Sequence, residues 1–267
     1  MTGVLDKLEA ITRREVLSAL RYRAGFALEL LGVLAEVAAF FFLARAIGPG
    51  FRPDGVEYFP FLLVGTSFYT FLLMGVSIFV DTVRQAQMAG TMEVLMATST
   101  PGLTVLLLDA VAAFIGRTFH LVFALAAGIL LFRVPLVHAN FAAFLVVFAL
   151  SLAVAVGLGM IAAAIQVQTQ KAGAALWLFG SVTALLTGMM FPVSALPPVL
   201  QKLSWLVPIT HSLNGLRSSL LRGASFTDLA EPIAVLAGYA MVLIPLSFAL
   251  FARVLRSARR NGTLSLY

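Results

Sequence analysis

The sequence predicts an all-α integral membrane protein: six transmembrane helices, an N-terminal amphipathic interface helix, and a re-entrant helical hairpin before the last span. Three observations predict it. The composition is 61% apolar and only 11% charged, with a mean hydropathy of +1.00, far from the balance of a soluble domain. The apolar residues fall in runs of about 20 or more, long enough to cross roughly 30 Å of hydrocarbon. Short polar or glycine- and proline-containing breaks separate those runs. The chain therefore divides into an interface segment, 1–25, and one membrane domain, 26–267.

In residues 1–25, Val4, Leu5, Leu8, Ile11, Val16 and Leu20 share one half of a helical wheel. Asp6, Lys7, Arg13, Arg14 and Arg21 share the other, with Glu9, Glu15, Leu17 and Arg23 out of pattern. Such a helix lies along the membrane surface; a plain charged leader is the alternative. Residues 1–23 lack the charged, apolar and small-residue regions of a cleaved signal peptide, so retention is expected.

Spans are expected near 26–46, 58–80, 103–132, 139–165, 172–193 and 229–255. Six crossings return the chain to its starting side. With the amino terminus inside, Lys7, Arg13, Arg14, Arg21, Arg23, Arg84, Lys171, Arg253, Arg256, Arg259 and Arg260 lie inside, and Arg45, Arg52, Arg133, Lys202, Arg217 and Arg222 outside. The inner excess places both chain ends in the cytoplasm. It also accounts for the net charge of +6 without nucleic acid as a partner. The chain has no cysteine, which excludes disulfides and thiolate metal sites.

The stretch 191–222 is apolar yet divided by Pro192, Pro197, Pro198 and Pro208. Helical pieces of about 10 to 14 residues reach only about 15 to 21 Å, short of a crossing. A hairpin that dips in and returns is expected, beside a translocation path, because irregular backbone at membrane depth needs protein or water around it. A surface amphipathic loop is the alternative.

Two motifs carry a family resemblance. Ala89-Gly90-Thr91-Met92-Glu93 through Thr98-Ser99-Thr100-Pro101 follows the second span; Phe191-Pro192-Val193-Ser194-Ala195-Leu196-Pro197 leads to Leu206-Val207-Pro208-Ile209-Thr210-His211-Ser212-Leu213-Asn214-Gly215-Leu216-Arg217 before the last. In order and spacing the chain resembles the ABC-2 type permease subunits of ABC exporters, closest to those for drugs and antibiotics or for polysaccharides. One departure is an extra residue before Pro101. The resemblance implies a homodimer in a prokaryotic inner membrane, working with two copies of a separate ATPase that binds ATP and magnesium. This chain is not expected to be an enzyme or to hold a cofactor: it has no Gly-x-x-x-x-Gly-Lys-Ser/Thr loop, and Lys7, Lys171 and Lys202 sit in no glycine-rich cradle. The segment 81–101 is expected to form a short cytoplasmic helix coupling to the ATPase, through Arg84, Gly90, Thr91 and Glu93. A solvated loop is the alternative.

Ionisable residues inside spans each cost about 2.5 to 3.5 kcal/mol at mid-bilayer. Glu29 and Glu36 are spaced to share one helix face. They either pair with a basic residue such as Arg117, the preferred reading, or line a polar path together with it. Asp109, Arg117 and His120 lie along the third span; no acidic ladder continues from them, which argues against proton coupling. Pro192, Pro197 and Pro208 complete the expected path or gate. Ser151, Ala155, Gly159 and Ala163 form a small-residue stripe for close helix packing. His138 and His211 have no second ligand at metal spacing, and no catalytic triad stands out.

Phenylalanine is abundant in the spans, including Phe40, Phe41, Phe42, Phe68, Phe71 and Phe79. Most would face lipid or core; they favour an amphipathic cargo, a drug, antibiotic or lipid, over a sugar. The alternatives are a permease for a lipid-linked polysaccharide and a membrane scaffold or enzyme without transport. An ion-coupled carrier is disfavoured because the broken segment occurs once.

Overall fold

A computed structural model describes residues 23–90, 102–134, 139–170 and 172–261. The interface segment up to residue 22, Thr91, Glu93, the rest of 91–101, Lys171 and His138 lie outside the described residues. All regular structure among those described is helical: α1 (Arg23–Ile47), α2 (Tyr58–Met88), α3 (Gly102–Phe132), α4 (Phe141–Thr169), α5 (Ala172–Leu186), α6 (Pro198–Trp205), α7 (Pro208–Leu221) and α8 (Ala230–Asn261). Four of them are long and apolar enough to cross a membrane, at Ala24–Ile47, Tyr58–Met88, Phe141–Thr169 and Ala230–Ala258; Gly116–Phe132 and Ala172–Leu186 are shorter apolar helices.

Local chemistry sets the ends of these elements. Asn140 caps α4, its Oδ1 accepting from the Ala143 amide at 3.1 Å. Pro198 and Pro208 open α6 and α7 at the first helical position, where a missing N–H costs nothing. The fifth span, expected to reach residue 193, stops at Leu186 because Gly188 adopts φ +69, a left-handed conformation that turns the chain out of the helix. The second span was expected to end at residue 80. Instead α2 continues to Met88, so Asp81 and Arg84 lie on it and any separate coupling helix can begin only after Gly90. Likewise α4 runs through Gln166 to Thr169, past the expected break.

The core forms around α2, which packs against α3, α4 and α7, while α8 lies along α4. Phe61, Leu62, Leu63, Phe68, Leu72, Met160, Leu213, Leu216 and Leu236 are fully buried there. The small-residue stripe of α4 is buried in this seam. A Cβ on Gly159 would meet the Phe79 ring and the Val76 carbonyl, so the stripe brings α4 against α2 of the same chain. Burial is uneven: 72% of the apolar window of α2 is buried, against 6% of that of α1. Helix α1 thus leaves Leu28, Leu31 and Phe42 on the outside of the bundle.

Two polar ties hold the ends of the bundle. At one end Gln166 donates to the Gln87 Oε1 at 3.1 Å and accepts from the Ala172 amide at 3.0 Å, joining α2, α4 and the start of α5. At the other, the Asn140 amide donates to the Ser219 carbonyl at 2.9 Å and its Nδ2 to the Ala224 carbonyl at 3.1 Å. Nearer the start of α7, Tyr239 donates to the Leu206 carbonyl at 2.7 Å, anchoring the α6–α7 connection to α8.

Candidate functional site

Ionisable side chains gather on the outer face shared by α1 and α3. Glu36 and Arg117 each lie near the middle of their helices, and with His120 they line a cavity of about 110 Å³ whose walls include Phe40, Ser67, Thr70, Phe71 and Met74. Heptad spacing puts Glu29 on the same face of α1, where its Oε2 lies 3.0 Å from Nε2 of His120. The expected pairing with Arg117 is therefore corrected. His120, one helical turn from Arg117, reaches Glu29 first, and no ion pair joins Arg117 to Glu29 or Glu36 among the described residues. Arg117 is exposed on this face, and the Nδ1 of His120 is buried without a partner. The arrangement holds two carboxylates and two basic groups on a surface whose other side chains are mostly apolar, with the hydroxyls of Ser67 and Thr70 among them.

The remaining candidates occupy the two ends. Arg84 is exposed in the last turns of α2, and Gly90, also exposed, takes φ +64 just beyond it. The positive φ there marks the point where the chain leaves the α2 direction. Pro192 lies in the turn after α5, Pro197 caps α6, and Pro208 opens α7. The three prolines thus divide 191–222 into two helices of 8 and 14 residues, about 12 and 21 Å long. None of the three prolines lines the Glu36–Arg117 cavity. His211 is buried, with Nε2 2.9 Å from the Trp205 carbonyl and its ring 5.3 Å from the indole.

Arg217 is the residue that sequence reasoning passed over as an outer basic group. It is 8% exposed. Its Nε donates to the Phe61 carbonyl at 3.2 Å, and its terminal nitrogens donate to the Gly188 carbonyl at 2.8 Å and the Met189 carbonyl at 2.6 Å. The guanidinium lies 3.6 Å from the centre of the Phe61 ring, a cation–π contact. Room for it is made by Gly65, where a Cβ would overlap the guanidinium. One signal was legible: an arginine inside the apolar Leu216–Leu221 neighbourhood cannot face lipid cheaply.

Helical architecture, crossing-length apolar helices and the proline-divided segment agree with one comparison. The family model described as ABC-2 type transporter matches residues 7–221, spanning most of the chain and both motifs. No curated protein matches. The chain is a multi-pass membrane protein and belongs to the ABC-2 type transporter family.

Proposed function

We propose that this chain is the permease subunit of an ATP-driven exporter, dimerising in a prokaryotic inner membrane to form the path for an amphipathic compound such as a drug, antibiotic or lipid. The observation that carries this reading is the Glu29, Glu36, Arg117 and His120 face. Charged groups near mid-helix cost about 2.5 to 3.5 kcal/mol each against lipid, and α1 is almost unburied in the single chain. A second copy, or a water-filled passage between copies, removes that cost. Helices α1 to α5 and α8 then supply six spans with both chain ends in the cytoplasm, and α6–α7 forms the re-entrant hairpin, with Pro192, Pro197 and Pro208 shaping its gate.

Members of this family generally work with an ATPase subunit. Here two copies of that partner, holding ATP and magnesium, would engage the segment 81–101 through Arg84, Gly90, Thr91 and Glu93. Because α2 runs unbroken from the core to Arg84, a push at its cytoplasmic end moves the helix that touches α3, α4 and α7.

The test is affinity purification of the tagged chain from its native membranes in mild detergent, with ATP turnover measured on the eluate. A stoichiometric ATPase that is lost, or uncoupled from cargo, in Glu93→Arg is the expected result. No ATPase alongside an intact fold would overturn the reading in favour of a scaffold.

A further inference from the structure

We infer that the cavity beneath the α6–α7 connection is a binding site for a singly charged oxyanion, a phosphodiester or a carboxylate. The site does not depend on the transport reading. The cavity, of about 280 Å³, lies between the α1–α2 connection and the α6–α7 pair, and is lined by Asp54, Thr187, Thr210, Asn214, Arg217 and Arg222, with Trp205 at its edge.

Three features make it a built site. First, the hydroxyls of Thr187 and Thr210 are buried, each residue being 2% exposed, and neither has a hydrogen-bond partner. A buried hydroxyl without a partner is costly, and the two residues that carry them line this one cavity. Second, Arg217 is held in place by three backbone carbonyls. Those bonds use three of the five N–H groups of a guanidinium, leaving two for a ligand, and they fix its orientation before the ligand arrives. Third, the charge is unbalanced. The only ion pair among the described residues is His120 with Glu29, so Arg217 has no carboxylate in contact. Asp54 acts on it from across the cavity. Arg222, exposed at the rim and bonded to the Ser218 hydroxyl, is the second cation. Two guanidinium groups against one carboxylate leave one positive charge, which selects one negative charge.

A carbonyl-held arginine has no need of two orphan hydroxyls and a second arginine for stability alone, and an ammonium or neutral ligand would leave the cavity's net charge unmatched. An oxyanion suits this lining, since its several lone pairs accept from guanidinium and hydroxyl donors alike. The source is either a lipid headgroup at the membrane surface or a soluble anion, and the experiment distinguishes them.

Trp205 at the cavity edge supplies the readout. Purified full-length protein in a non-ionic detergent and phosphate-free buffer is titrated with inorganic phosphate, with a short-chain phosphatidylglycerol, and with the corresponding uncharged diacylglycerol, following tryptophan fluorescence. Saturable binding of at least one anion, and none of the neutral lipid, is expected. Binding of phosphatidylglycerol alone identifies a lipid headgroup; binding of phosphate, alone or as well, identifies a soluble oxyanion. Thr187→Val and Thr210→Val, which keep shape and remove one donor, and Arg222→Gln at the rim should each weaken binding about tenfold. Lys202→Gln, outside the cavity, should not. Absence of saturable binding, or equal binding in wild type and the three cavity variants, would mean a cavity filled by water only and would overturn the proposal.

Discussion

Arg217 and the Glu36–Arg117 face meet the same physical problem, charge in an apolar helical bundle, and solve it differently. Arg217 is 8% exposed and is held in place by its own chain, through the carbonyls of Phe61, Gly188 and Met189 and the Phe61 ring. Glu29, Glu36 and Arg117 are exposed on the outer side of α1 and α3, where Glu29 with His120 is the one ion pair among the described residues. The first arrangement is fixed within one subunit. The second leaves its charges open to the surroundings, so the fold should depend on Arg217 and, if the proposed function holds, the activity on the α1–α3 face.

Replacing Arg217 is the largest test of that contrast. Arg217→Met keeps much of the side-chain volume but removes the donors to the Gly188 and Met189 carbonyls. Those carbonyls belong to a turn, and are left without the partners that α7 provides. Each buried unsatisfied carbonyl costs about 1 to 3 kcal/mol, so a loss of roughly 3 kcal/mol is expected, measured by thermal or denaturant unfolding of the purified protein in detergent. An unchanged midpoint would show that the carbonyls find water and that the arginine is dispensable for the fold.

A smaller effect sharpens the same point. A methyl at Gly65 would overlap the Arg217 guanidinium and lie 2.5 Å from the Met189 carbonyl. Overpacking of this kind costs about 1 to 3 kcal/mol. The informative measurement is the double variant: with Met at 217, a flexible side chain can yield, and the Gly65→Ala penalty should fall by more than half. Strict additivity of the two changes would deny the coupling that the geometry requires.

The contrast also separates what could be read in the sequence from what could not. The starts of α2 and α4, the packing stripe of Ser151 to Ala163 and the division of 191–222 by prolines follow from local patterns, hydropathy, small-residue spacing and the missing N–H of proline. The length of α2 did not, because Asp81, Arg84 and Gln85 look like a break in hydropathy although nothing in them stops a helix. Tertiary pairing was illegible for a different reason. His120 and Arg117 are both basic and one turn apart, and only the crossing of α1 over α3 decides that His120 meets Glu29. The role of Arg217 depends on carbonyls at residues 61, 188 and 189, far away in sequence. Of the candidate site, the residue types and the shared face of Glu29 and Glu36 were legible; their partners were not.

The smallest expected effect on stability is at the α1–α3 face, and there the comparison is most exposed to failure. Glu29 is 57% exposed on its side chain and His120 23%, so their contact resembles a surface ion pair. Such pairs contribute less than about 1 kcal/mol. Glu29→Gln keeps the length of the side chain and a carbonyl oxygen that still accepts a hydrogen bond, while removing the charge. Its unfolding midpoint should stay close to that of wild type, in contrast to Arg217→Met. If the proposed function holds, cargo-stimulated ATP turnover of a complex with an ATPase should nevertheless fall, because the charge left open in one subunit would be the one available to a second copy or to the path. A marked loss of stability with normal turnover would reverse the assignment, making Glu29–His120 the structural pair and leaving the outer face of α1 to pack against lipid.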